Sequence, residues 1–125
     1  MKELFTIEYG LKKGSKKVLW NFISTPNGLS EWLAERVESS GNLFTFHWGK
    51  SFDQAEMISF TPLERIRFHW LHDSEPYYFE ISISDSELTG ELALSITDFA
   101  EPDEKEDLIQ LWGSEVEKLI RRVGM

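Results

Sequence analysis

Leu108-Ile-Gln-Leu-Trp-Gly-Ser-Glu-Val-Glu-Lys-Leu-Ile-Arg-Arg-Val123 stands apart from the chain that precedes it, because Leu108, Leu111, Trp112, Val116, Leu119, Ile120 and Val123 lie at three- and four-residue spacing. That interval lays one apolar stripe along a helix. From Pro102 onward it predicts a helix of about five turns at 3.6 residues each. Acids at 101–107 load its start and Arg121-Arg122 load its end, the order that the helix dipole favours. Gly124 is the expected stop. Gly113 inside the helix costs about 1 kcal/mol relative to alanine, so close approach to a strand or a partner helix is expected there.

Upstream, the period drops to two. Phe5, Ile7, Tyr9 and Leu11 share one face of a strand over Glu3–Leu11, the alternation of a half-buried strand. A brief strand is expected over 36–39, and Ser39-Ser40-Gly41-Asn42 forms a hairpin turn. Leu43–Trp48 then puts Phe44, Phe46 and Trp48 on one side. Residues 53–60 form another strand whose inward face is undecided: Ala55, Met57 and Ser59 alternate with Glu56, Ile58 and Phe60. Thr61-Pro62-Leu63-Glu64 turns the chain into Arg65–Trp70, with Ile66, Phe68 and Trp70 in phase. Strands over 77–84 (Phe79, Ile81, Ile83) and 88–99 (Leu88, Leu92, Leu94, Ile96) follow, with Gly90 expected at a bend or bulge in the last.

Between the first strand and this meander lie two short helices. Ser15 is a candidate N-cap for a helix carrying Val18, Leu19, Phe22 and Ile23. Thr25-Pro26-Asn27-Gly28 is expected to break it, and a second helix over 29–34 carries Leu29, Trp32 and Leu33. One strand, two short helices, about six further strands and a long amphipathic helix is an order that resembles the START-like or Bet v-type (helix-grip) superfamily. Val18-Leu-Trp-Asn-Phe-Ile-Ser-Thr-Pro-Asn-Gly-Leu-Ser-Glu-Trp-Leu33 and Leu111-Trp-Gly-Ser-Glu-Val-Glu-Lys-Leu-Ile120 are similar to segments of its Aha-type family, the homologues of a chaperone ATPase activator. The resemblance implies an α+β fold, a curved antiparallel sheet of six to seven strands wrapped around the C-terminal helix, in a single domain over residues 1–125. It does not carry a function, because that scaffold hosts lipid carriers, hormone receptors, cyclases, lyases and chaperone cofactors.

Composition narrows the classes. A chain of 125 residues with 41% hydrophobic and 28% charged residues suits one globular core. A net charge of −9 disfavours nucleic acid, whose affinity rests on lysine and arginine. The basic run Lys12, Lys13, Lys16 and Lys17 and the acids Asp98, Glu101, Asp103, Glu104, Glu106 and Asp107 are expected as solvated ends of elements. With no cysteine there is no disulfide, thiol nucleophile or thiolate site. No membrane span and no signal sequence are expected, and the location expected is the cytoplasm.

Aromatic residues at 14%, five of them tryptophan, demand a thick core or a cavity wall. The resemblance implies a cavity between helix and sheet, and the inward parity suggests its lining: Phe46, Trp48, Phe68, Trp70, Phe79, Ile81, Leu94, Leu111 and Trp112. These rings either meet and fill the space at normal packing density or leave a pocket for a flat or acyl ligand. Glu115, at the edge of the stripe, is a possible polar anchor or a solvent-facing acid. His47 and His69 fall on the opposite face. The loop residues His72, Asp73 and Glu75 lack the spacing of a metal site, and no catalytic motif or cofactor motif is present. The expected function is non-catalytic binding of a small hydrophobic or aromatic ligand. The alternatives are a protein-protein interaction module, homodimers included, with a filled core, and a cyclase- or lyase-like enzyme.

Overall fold

The computed structural model describes residues 1–12 and 14–124; Lys13 of the basic run and the terminal methionine lie outside the described residues. In chain order the elements are β1 (Glu3–Leu11), α1 (Lys16–Ser24), α2 (Pro26–Leu29), β2 (Arg36–Ser40), β3 (Leu43–Trp48), β4 (Ser51–Thr61), β5 (Arg65–Trp70), β6 (Phe79–Asp85), β7 (Leu92–Ala100) and α3 (Lys105–Val123). The strands form one antiparallel sheet ordered β1-β7-β6-β5-β4-β3-β2. β1 and β2 are its two edges, so α1 and α2 carry the chain from one edge to the other. This is the α+β arrangement that the resemblance implies.

The helical corner departs from the expected boundaries. Ser15 caps α1 as expected, its Oγ accepting from Val18 N at 3.2 Å. Thr25, extended at φ −113 and ψ 150, breaks the first helix as expected, but Pro26-Asn27-Gly28 already belongs to the second. Thr25 Oγ1 donates back to Asn21 O at 2.7 Å and accepts from Gly28 N at 3.0 Å, and Pro26 occupies the first turn of α2, where its fixed φ suits a helix start and its missing N–H costs nothing. α2 ends at Leu29, and residues 30–33 run through turns. A Cβ at Gly28 would lie 2.1 Å from Asn21 O and 2.6 Å from Phe22 Cα, so the two helices meet backbone to backbone.

β4 explains why its inward face was undecided. Ala55 pairs with Trp70 and Met57 with Phe68, but Ser59 pairs with Arg67 and Phe60 with Ile66, with a bulge between Met57 and Ser59. The extra residue switches parity within the strand, so neither alternation holds along its whole length. β7 starts at Leu92, not at 88: Leu88 is 96% exposed and Gly90 sits outside the strand at φ +73, a left-handed turn position that glycine adopts without steric cost. β6 starts at Phe79, and Tyr77 and Tyr78 precede it, both packed on Phe99 with ring centroids 4.9 and 5.0 Å away. α3 starts at Lys105 and ends on Gly124 at φ 72.

One face of the sheet is covered. α3 contacts β7 and α1, and α1 contacts β6. Trp112, Val116 and Leu119 of α3 are buried with Leu19 and Ile23 of α1 and the inward residues Phe46, Phe68, Ile81, Leu94 and Ile96. Gly113 is not a point of close approach: a Cβ there would have Tyr9 Oη as its nearest neighbour, at 4.0 Å. Among the described residues, no helix is long and apolar enough to cross a membrane.

Candidate functional site

The inward residues of β7 run Leu92, Leu94, Ile96, Asp98, Ala100, and Asp98 pairs across the sheet with Phe5. An aspartate here breaks an apolar series. Trp112 Nε1 donates to Asp98 Oδ2 at 2.9 Å, and Phe99 N donates to Oδ1 at 2.7 Å. Burial pushes the Asp98 carboxyl above its ordinary value of 3.8, while the Trp112 and Phe99 hydrogen bonds and the charge of Lys2 pull it down. Burial wins because it disfavours the ionised form in low dielectric.

Around Asp98 the antiparallel register brings together one end of several strands. Trp48 closes β3, Trp70 closes β5, Phe79 opens β6, and α3 adds Trp112. Their rings form a chain of neighbours: Trp48 to Trp70 at 6.2 Å, Trp70 to Phe79 at 5.3 Å and Phe79 to Trp112 at 5.7 Å between centroids. Trp48 Nε1 donates to Leu33 O at 3.1 Å, so the polar ends of Trp48 and Trp112 are both satisfied within the protein. Together with Leu33, Leu108, Leu111 and Glu115, these residues enclose a cleft of about 210 Å³. Leu111 is 55% and Trp48 38% exposed, and they form its rim.

Two further spaces share parts of the cleft's lining. Past Leu33, Trp48 and Glu115 it adjoins a space of about 200 Å³ bordered by Glu31, Glu35 and Lys118. Past Trp70, Asp98 and Leu108 it adjoins another of about 200 Å³ bordered by Lys2, His72, Asp73 and Tyr77.

Of the residues singled out from the sequence, Trp48, Trp70, Phe79, Leu111, Trp112 and Glu115 line this cleft. Phe46, Phe68, Ile81 and Leu94 lie beneath it, each 0% exposed. Phe68 stacks on Phe79 at 5.1 Å and Phe46 meets Trp70 edge-on at 5.4 Å, so they support the wall from behind. Glu115 lies with its side chain 17% exposed and its Oε1 3.5 Å from Lys118 Nζ. Asp98, Leu33 and Leu108 were not anticipated as wall residues; for Asp98 the signal was its place in phase with Leu92, Leu94 and Ile96. Elsewhere, His47 Nε2 lies 2.7 Å from Glu38 Oε1, His69 Nδ1 lies 2.6 Å from Tyr77 O, and His72 stacks on Trp70 at 5.8 Å. Among the described residues, no group of three or more His, Asp or Glu side chains converges as a metal site would.

The family model of the START-like superfamily domain matches residues 1–125. The chain is similar to the solution structure of BfR322 from Bacteroides fragilis, at 47% identity and a TM-score of 0.71 over 97% of this chain and 90% of that one. It shares its fold with the Aha1 dimer from Colwellia psychrerythraea, at 13% identity and a TM-score of 0.79 over 97% of this chain and 96% of that one. It also shares it with DynU16, from the dynemicin biosynthetic locus, at 15% identity and a TM-score of 0.80 over 98% of this chain and 47% of that one. No curated protein matches the sequence.

Proposed function

The chain belongs to the START-like superfamily, and we propose that it uses the cleft between α3 and the sheet to hold a small hydrophobic or aromatic ligand without transforming it. The observation that carries this reading is the unbroken aromatic wall of Trp48, Trp70, Phe79 and Trp112 around about 210 Å³ of open space. Packed rings that merely filled a core would leave no such volume. Ligand sites commonly enclose roughly 300–1,000 Å³, so the cleft suits a compact group. Both Asp98 oxygens already accept hydrogen bonds, which fits a fixed recognition group better than the proton shuttle a cyclase or lyase would need. Tryptophan emission during titration with the neutral probe N-phenyl-1-naphthylamine tests this. Saturable energy transfer that weakens in Trp48→Ala is expected; emission that the probe never perturbs would rule the container out.

A second reading, an interface between protein copies, is favoured by Phe52 and Ile58 of β4, which are 60% and 48% exposed. The similarity to an Aha1 protein solved as a dimer points the same way. On that reading the protein would sediment as a dimer that Phe52→Lys dissociates.

A further inference from the structure

The cleft is electrostatically one-sided. Among the described residues, its ionisable lining residues are Asp98 from β7 and Glu115 from α3, and no lysine, arginine or histidine lines it. Bases stand around the cleft but outside its wall: Lys118 Nζ pairs with Glu115 Oε1 itself at 3.5 Å, its side chain 56% exposed, Lys2 Nζ is 3.5 Å from Asp73 Oδ2 and 5.1 Å from the Tyr77 ring centroid while its charge reaches Asp98, and His72 stacks on the outer side of Trp70 at 5.8 Å. The rest of the wall is mainly aromatic, and a ring face is the negative part of its quadrupole. With the indole N–H groups of Trp48 and Trp112 bound to Leu33 O and Asp98, their positive edges are already engaged by the protein. Carboxylates and ring faces therefore act on an occupant with the same sign.

We propose that the cleft selects an organic cation, an alkylated or aromatic ammonium, held against Trp48, Trp70 and Trp112 and countered by Asp98 and Glu115. The proposal rests on the reading of the cleft as a ligand site and names the chemistry of its ligand. A cation over an aromatic face gains roughly 0.5–2 kcal/mol, most when desolvated, and a desolvated carboxylate adds to that. A neutral ligand would leave Asp98 with only the charge of Lys2, itself paired with Asp73, to offset its burial, and an anion would meet repulsion from both carboxylates and from the ring faces. The chain's net charge of −9 favours the approach of a cation from a distance.

Isothermal titration calorimetry of the full chain with benzyltrimethylammonium, benzyl alcohol and phenylacetate separates the possibilities. The cation is expected to bind about tenfold more tightly than the alcohol, the ratio that 1.4 kcal/mol produces, and phenylacetate is expected not to bind. Asp98→Asn, checked for folding by circular dichroism, and Glu115→Gln should each weaken the cation several-fold and the alcohol much less, so that the preference for the cation shrinks. If Asp98→Asn does not fold, Glu115→Gln alone carries this comparison. Benzyl alcohol or phenylacetate binding as tightly as the cation would overturn the charge preference while leaving a container in place. Failure of all three to bind would also overturn it, and the naphthylamine titration would then decide whether the container falls as well.

Discussion

Asp98 occupies an inward position between Ile96 and Ala100 on β7, where packing alone would call for an apolar side chain. Two hydrogen bonds hold its carboxylate there, yet burial still lifts its pKa above 3.8. The folded chain thus holds this proton more tightly than the unfolded one. Stability at this site is fully present below about pH 3.8, falls as pH rises through the raised folded value, and is lowest once the group is ionised. Asp98→Asn removes the titration. The difference in unfolding free energy, variant minus wild type, should therefore rise with pH across the acid range and then level off, as read by thermal melts at several pH values. A flat or falling difference would contradict a burial-dominated shift. The residue was legible in the sequence as the next in-phase position after Ile96, but its place among the acids at 98–107 made it read as part of a solvated run.

Two glycines in helices have opposite roles. Gly28 lets α1 and α2 meet backbone to backbone, and an alanine Cβ would fall 2.1 Å from Asn21 O. Backbone cannot yield as a flexible side chain does, so Gly28→Ala should destabilise by about 1–3 kcal/mol. Gly113 has open space, the nearest atom being Tyr9 Oη at 4.0 Å. Gly113→Ala should stabilise by about 0.5–1 kcal/mol. Urea unfolding of both variants measures the pair, and a destabilised Gly113→Ala would mean that α3 is held more tightly than its packing indicates. The long helix, the first strand, β3 and β5 were legible because each keeps one period throughout. α2 was misplaced because Thr-Pro, read as a break, is also a helix start. The face of β4 was illegible because its bulge gives it two parities.

The cleft arises where the sheet, α3 and the loop after α2 converge at one end of the sheet. Parity along the strands identified which side chains point inward, but not how deep each one sits. Trp48, Trp70 and Phe79 lie at strand ends and form the wall, while Phe46, Phe68 and Ile81, one pleat further in, are sealed beneath them. Depth depends on strand register and on the path of α3, which no local pattern encodes. The five tryptophans divide the same way: Trp48, Trp70 and Trp112 line the cleft, whereas Trp20 lies on α1 and Trp32, 2% exposed, bonds to Phe22 O. Each indole N–H gives its own resonance in a proton–nitrogen correlation spectrum, so titration with a neutral aromatic such as 2-naphthol reports on the wall directly. The resonances of Trp48, Trp70 and Trp112 should move together and saturate while those of Trp20 and Trp32 stay in place. Silence from the three wall indoles, or movement confined to Trp20 and Trp32, would contradict the cleft as the ligand site.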